Sequence, residues 1–229
     1  MFEKIEMKNL SFKYGDGENI FEEVTTNIPL NRTYWLHGPV GSGKGTFLKF
    51  LLGLETPTSG SFIINDVDTA NCYLQDFHPF KKRMGYCFDQ GGLINNRTLF
   101  ENLSLPLLYH GFCTEMKAKD RIHHYFNQCN IAQFAHQRPA FVPTGVYKLA
   151  LLIRSLIHFP EMLIWNNPTM GLDEDNFTMV TDLLKEFQND HGLKHVFMAS
   201  EDFEFMNVLN FEIMNFADKK IDVVGGMAA

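Results

Sequence analysis

Polar and apolar side chains alternate from Ile5 to Phe12, the run breaks at Gly15-Asp16-Gly17, and the alternation resumes from Ile20 to Ile28. That pattern predicts a β-hairpin. Thr33-Tyr34-Trp35-Leu36-His37 reads as a short strand feeding Gly38, and Thr46 to Leu54 reads as a helix. After the turn Pro57-Thr58-Ser59-Gly60, strands are expected around Phe62 to Ile64 and Met84 to Phe88. From about Gly91 to Pro160 the pattern turns helical, with amphipathic stretches near Glu115 to Asn130 and Tyr147 to His158. The end alternates again: a strand from Met162 to Trp165, a helix from Asp173 to Asn189, a strand from His195 to Ala199, and strands near Phe211 to Phe216 and Lys219 to Val224. There is no internal repeat and no low-complexity linker. Helices interleaved with short apolar strands predict an α/β fold.

Composition narrows this picture. With 229 residues, 45% of them hydrophobic, the chain has ample material for a packed interior. A net charge of −7 argues against a broad nucleic-acid face, which needs clustered Lys and Arg to release counterions. Cys72, Cys87, Cys113 and Cys129 lack C-x-x-C spacing and read as reduced, buried thiols rather than a zinc site. The start, Met1-Phe2-Glu3-Lys4-Ile5, has no basic-then-apolar signal, and no apolar stretch approaches the roughly 20 residues that a bilayer requires, so any membrane contact is expected to be peripheral. His123 and His124 are adjacent, point apart on a helix and read as solvated. Most of the 22 phenylalanines are expected in the core, with a few around Phe80 to Leu108 forming a groove for another protein.

The candidate chemistry begins after the third expected strand. Gly38-Pro39-Val40-Gly41-Ser42-Gly43-Lys44-Gly45-Thr46 fits the phosphate-binding loop G-x-x-x-x-G-K, with Gly45 in place of the usual Ser or Thr. Backbone N–H groups and the helix dipole favour phosphate oxygens there, and Lys44 supplies a point charge. Gly45 removes the hydroxyl that usually touches Mg²⁺ and leaves Thr46 as the nearest oxygen, so metal affinity is expected to fall. Tyr14 reads either as a ring that stacks on a base or as a strand-end residue packed on the core. A strand ending in Asn166-Asn167-Pro168-Thr169 offers two amides where such a fold needs acids.

In order and spacing these motifs resemble the ATP-binding subunits of ABC transporters over nearly the whole chain. Phe12-Lys13-Tyr14-Gly15 resembles the family's aromatic loop. Leu52-Gly53-Leu54 with Pro57-Thr58-Ser59-Gly60 matches the run after its P-loop, and Asn166-Asn167-Pro168-Thr169-Met170-Gly171-Leu172-Asp173 overlays Asp-Glu-Pro-Thr-Ser-Gly-Leu-Asp. Gly91-Gly92-Leu93, Thr98-Leu99-Phe100-Glu101-Asn102-Leu103 and Leu105-Pro106-Leu107 resemble the bacterial systems that move lipids or lipoproteins. The resemblance implies a P-loop NTPase core of ABC type with an N-terminal antiparallel β layer, over residues 1–90 and 161–229, and a helical signature subdomain over 91–160.

The departures fall on the positions that carry the family's chemistry. The alignment puts Asn166 at the Walker B aspartate and Asn167 at the catalytic glutamate, and a neutral amide neither offsets a divalent cation nor accepts a proton near neutral pH. Asp89 falls at the Q-loop glutamine, with Gln90 one position later and able to substitute by a register shift. Glu201 takes the place of the switch histidine, where a carboxylate repels the γ-phosphate. Val142-Pro143-Thr144-Gly145-Val146 stands where Leu-Ser-Gly-Gly-Gln is expected, a change that harms the partner's site as well, and the family pattern places Asp173 at a dimer interface. Asp173-Glu174-Asp175 also reads more simply as carboxylates opening a helix.

No residue is therefore expected to be catalytic and none to hold a metal. ATP or ADP is expected to bind weakly, with little dependence on Mg²⁺. The expected partners are an integral-membrane ABC permease and a second ATP-binding subunit, in a homodimer or heterodimer, with no nucleic acid. The expected place is cytoplasmic, peripheral on the inner face of the cell membrane. Two other readings stay open: an unusual ATPase in which Asp89, Glu201 or Asp202 supplies the acid, and a nucleoside-monophosphate kinase, since Gly-x-Gly-Lys-Gly-Thr is the adenylate kinase form of the loop. DNA-acting members of the ABC superfamily are disfavoured by the acidic balance and the lack of coiled-coil or zinc insertions.

Overall fold

A computed structural model describes residues 1–89, 92–209 and 211–224. In chain order the first elements are β1 (Ile5–Phe12), β2 (Phe21–Ile28), β3 (Thr33–His37), α1 (Lys44–Leu51), β4 (Ser59–Ile64), β5 (Val67–Asp68), α2 (Leu74–Lys81) and β6 (Met84–Cys87). They are followed by α3 (Leu99–Tyr109), α4 (Glu115–Gln128), α5 (Thr144–Leu156), β7 (Met162–Asn166), α6 (Glu174–Asp190), β8 (His195–Ala199), α7 (Phe203–Val208), β9 (Glu212–Ala217) and β10 (Lys220–Val224). Short 3-10 turns at Ala132–Phe134 and Pro139–Phe141 lie between α4 and α5. The chain forms two compact units, one of Met1–Arg83 with Lys194–Ala229 and one of Met84–Leu193.

In the first unit β1 and β2 form the expected antiparallel pair, joined by β4 and β5 in the order β2-β1-β4-β5. A second set of strands runs β10-β9-β3-β8. There β3 is parallel to both β8 and β9, while β10 turns back antiparallel on β9. Three parallel carboxyl ends thus share one edge, and the loops after β3 and β8 leave from it together. In an open α/β sheet this edge is where ligands are met.

Phenylalanines fill this core. Phe47, Phe50, Phe62, Phe197 and Phe216 are wholly buried, with Phe50 stacked on Phe62 at 5.6 Å and Phe47 edge-on to Phe216 at 5.6 Å. Helix α1 begins two residues before the expected Thr46 because Gly43 stands as its N-cap in a left-handed conformation and its carbonyl accepts from Phe47 N–H at 2.8 Å. It ends before the expected Leu54 because Gly53, at φ 59°, reverses the chain, and a Cβ there would meet the Phe77 ring at 2.7 Å.

In the second unit β6 and β7 pair in parallel, and α5 presses on β6 so closely that a Cβ on Gly85 would lie 2.0 Å from the Ser155 carbonyl. Leu149, Leu152, Ile153 and Leu156 of α5 are buried, and the wholly buried Trp165 donates its indole N–H to Ser155 Oγ at 2.8 Å. Helix α3 starts in a capping box between Thr98 and Glu101. Among the described residues no helix is long and apolar enough to cross a membrane.

His158, just past α5, is largely buried, and burial holds its pKa down at about 4, against the pull of its bond to the Met84 carbonyl at 3.1 Å. The imidazole is therefore neutral when folded and readily protonated when unfolded. Stability should be full above the ordinary histidine value of 6.5 and fall as pH drops toward 4. The expected loss approaches about 1.4 kcal/mol per pH unit and comes to about 3 kcal/mol in all. Denaturant unfolding at several pH values should show this slope in the native chain and its absence in His158→Gln, which keeps a donor for Met84 but does not titrate.

Candidate nucleotide-binding site

The loop after β3 is shaped by its glycines. Gly38 sits at φ 151°, where a Cβ would lie 2.3 Å from the Phe216 carbonyl of β9. Gly43, at φ 97°, would drive a Cβ into Ile20 and Phe21 at 2.6 Å. Gly41 is also left-handed at φ 84°, but in open space. Ser42 N–H donates to the Pro39 carbonyl at 3.2 Å, closing the turn over an exposed Val40. The loop leads into the start of α1, whose first turn has no side-chain cap and no acidic residue, so its free N–H groups are available to an anion. Ser42 Oγ is buried there without a hydrogen-bond partner among the described residues. A cradle of unmet donors and an orphaned hydroxyl fit an oxyanion.

Lys44 opens α1. Its side chain is only 13% exposed, its ammonium donates to the Gly38 carbonyl and, at 3.1 Å, to that of Pro39, and it pairs with Glu201 Oε1 at 3.5 Å. Glu201 follows β8 in a loop pinned from both sides. Trp35 Nε1 donates to the Ser200 carbonyl at 2.8 Å, Ser200 Oγ accepts from Asp202 N–H at 3.1 Å, and Asp202 caps α7 by accepting from Phe205 N–H at 3.1 Å.

Gly45 carries no side chain and has nothing within 4 Å of its absent Cβ. The neighbouring Thr46 is buried, and its hydroxyl hydrogen-bonds with Tyr14 Oη at 3.2 Å. Tyr14 Oη also accepts from Lys49 Nζ at 3.0 Å, the largest cause of that ammonium's raised pKa. The Tyr14 ring meets Phe12 edge-on at 4.8 Å while remaining 44% exposed, so one face packs on the core layer and part of the ring is open to solvent.

The other singled-out residues belong to the second unit. Asn166 ends β7, and Asn167 follows at φ 49° with its carbonyl accepting from Lys148 Nζ at 2.8 Å. Lys148 is 5% exposed. It escaped the sequence reading, although a lysine between Val146-Tyr147 and Leu149-Ala150-Leu151-Leu152 was a signal that its charge needs a partner. Asp89 lies beyond β6 with Oδ1 buried and without a hydrogen-bond partner among the described residues, and Gln90 lies outside them. Burial pushes the nearby Cys87 thiol up to about 11, although the Lys148 and Arg154 cations pull it down. Val142 and Pro143 lead into α5, which starts at Thr144 with no side-chain cap. A Cβ on Gly145 would come within 2.9 Å of the Asn176 amide, and Val146 is half-buried in the first turn. Asp173 is exposed and caps α6 by accepting from Asn176 N–H at 2.9 Å. Tyr14, the loop from Gly38 to Thr46 and Glu201 thus lie in one unit; the Asn166-Asn167 pair, Asp89, the Val142 to Val146 stretch and Asp173 lie in the other.

A family model described as ABC transporter matches residues 21–170. The chain is 29% identical over 182 residues to the probable ribonucleotide transport ATP-binding protein mkl of Mycobacterium leprae, covering 80% of this chain and 52% of that protein. It is 24% identical over 221 residues to the intermembrane phospholipid transport system ATP-binding protein MlaF of Haemophilus influenzae, covering 96% of this chain and 83% of that one. The chain spans about half the length of the first of the curated relatives it matches. Among solved structures, the dimeric post-hydrolysis state of the ATP-binding cassette MJ0796 bound to ADP and Pi superposes with a TM-score of 0.83 at 24% identity, over 96% of this chain and 98% of that one. The solved cassette shows the fold, and with the family match across 21–170 the chain belongs to the ABC transporter ATP-binding family.

Proposed function

We propose that this chain is a degenerate ATP-binding subunit of a membrane transport complex, one that holds nucleotide and contributes structure or regulation rather than turnover. The observation that carries this reading is the end of β7, where Asn166 and Asn167 supply amides and the Asn167 carbonyl is bound by the buried Lys148 ammonium. Neither these amides nor the Lys148 ammonium bound beside them offers the negative charge by which carboxylates hold a metal ion. On the loop itself Gly45 lacks a hydroxyl and the Thr46 hydroxyl is held by Tyr14, which supports nucleotide binding independent of Mg²⁺. The reading that Asp202 replaces the missing acid is disfavoured because its carboxylate already caps α7.

The same reading makes the helical segment 91–160 the signature-bearing subdomain, and pairs the chain with a second ATP-binding subunit, itself or a paralogue, at the cytoplasmic face of a membrane. A groove of about 470 Å³ lined by Tyr86, Leu105, Pro106, Tyr109, Arg154 and His158 is the surface we assign to the permease. Similarity to the H. influenzae phospholipid system over 96% of the chain supports a lipid cargo.

Calorimetric titration with ATP and ADP tests the nucleotide reading. Affinities with and without Mg²⁺ should agree within about twofold, and Gly45→Ser, which restores a hydroxyl in open space, should add about a tenfold gain in Mg²⁺ alone, the scale of one hydrogen bond to a charged group. Tight binding by the native chain that disappears on chelation contradicts the reading.

A further inference from the structure

We propose that Glu201 makes the phosphate loop selective for nucleoside diphosphates, because its carboxylate holds the place at Lys44 that the γ-phosphate of a triphosphate needs. This inference rests on the nucleotide-binding reading above and specifies which nucleotide that site keeps.

An ammonium has three N–H donors and no acceptor. In Lys44 those donors face the Gly38 carbonyl, the Pro39 carbonyl and Glu201 Oε1, the last at 3.5 Å. The cation thus has three partners in its own chain, and among the described residues the negatively charged one is Glu201. In a loop of this kind the backbone N–H groups cradle the α- and β-phosphates and the lysine reaches the β- and γ-phosphates. A diphosphate ends at the β-phosphate, which the N–H groups, Ser42 Oγ and Lys44 hold without entering the place of the Glu201 carboxylate. A triphosphate brings its terminal charge to the same ammonium, and has either to displace the carboxylate or to sit beside it with like charges a few ångströms apart.

The carboxylate is presented by built structure. The Ser200 carbonyl is tied to the buried Trp35 indole, and Asp202 is tied to the start of α7, so the backbone on both sides of Glu201 is held. Trp35 lies on β3, the strand that feeds the loop, so loop and carboxylate hang on the same parallel pair. Glu201 is itself 72% exposed, which sets the size of the effect: solvent screening holds the discrimination to about tenfold rather than thousands. The same exposure makes substitution there harmless to folding.

The test is titration of the full chain with ADP and with ATP, both without Mg²⁺, for the native protein and Glu201→Gln, at low and high NaCl. The native chain should bind ADP about tenfold more tightly than ATP, with the gap narrowing as salt rises. Glu201→Gln should raise ATP affinity about tenfold and move ADP affinity by less than about twofold, since the amide keeps the shape and loses the charge. Equal native affinities, or an ADP-to-ATP ratio that Glu201→Gln leaves unchanged while both nucleotides bind, overturns the selectivity and leaves nucleotide binding standing. If neither nucleotide binds either protein, the nucleotide-binding reading fails and the selectivity fails with it.

Discussion

Replacing Gly38 by alanine is expected to destabilise the first unit by about 2–4 kcal/mol and to abolish nucleotide binding together with it. The new methyl would lie 2.3 Å from the Phe216 carbonyl and 3.0 Å from the Phe216 Cβ. Neither neighbour is the loose end of a side chain: the carbonyl belongs to β9, which is locked parallel to β3 from Tyr34 to His37. Relief requires the end of β3 to move off β9, and that movement carries the whole phosphate loop. Gly45→Ala provides the contrast, because nothing lies within 4 Å of its Cβ position and alanine favours a helix over glycine by up to about 1 kcal/mol. Denaturant midpoints should move in opposite directions for the two variants. Equal midpoints would mean that the loop does not depend on a glycine at its entrance.

Lys44→Ala is expected to weaken ADP and ATP binding by roughly 10–150-fold, the scale of a hydrogen bond to a charged group of about 1.5–3 kcal/mol. The change deletes the loop's cation, takes a donor from the Gly38 and Pro39 carbonyls, and leaves Glu201 with no counter-ion beside the phosphates. Lys44→Arg should rescue little, since a planar fork does not reproduce a compact ammonium held between two carbonyls in a tight turn. Titration calorimetry reads both variants. Undiminished affinity in Lys44→Ala would place the nucleotide elsewhere.

Much of the fold was legible because local signals and tertiary demands agree. The alternation of Ile5 to Phe12 and Ile20 to Ile28, the strand Thr33 to His37 and the strand His195 to Ala199 sit where their patterns predict them. Elements whose local signals conflict were not read individually. Helix α2 holds Pro79 and α3 holds Pro106, so a helix breaker stands inside each, and packing overrides it. Helix α7 has six residues and too little periodicity to read. For the site, composition at each position was visible but contact was not. That Glu201 carries a carboxylate is plain in the sequence. That this carboxylate meets Lys44 depends on β3 and β8 lying side by side across more than 150 residues of chain, which no local pattern encodes. Lys148 shows the same limit, because its buried partner is a backbone carbonyl and not a side chain that spacing could reveal.

A single-turnover measurement asks most directly whether this cradle holds nucleotide without cleaving it. The full chain, in excess over γ-labelled ATP and at a concentration above its dissociation constant, is incubated with Mg²⁺, alone and with its transport partners, and the fraction of label released as phosphate is followed. Bound ATP that keeps its γ-phosphate, with release no faster than in Lys44→Ala, is the expected result. Release that outpaces Lys44→Ala by the 10²–10⁴-fold that a positioned general base supplies would mean that this chain hydrolyses ATP with groups other than Asn166 and Asn167, and would contradict its assignment as a non-hydrolysing subunit.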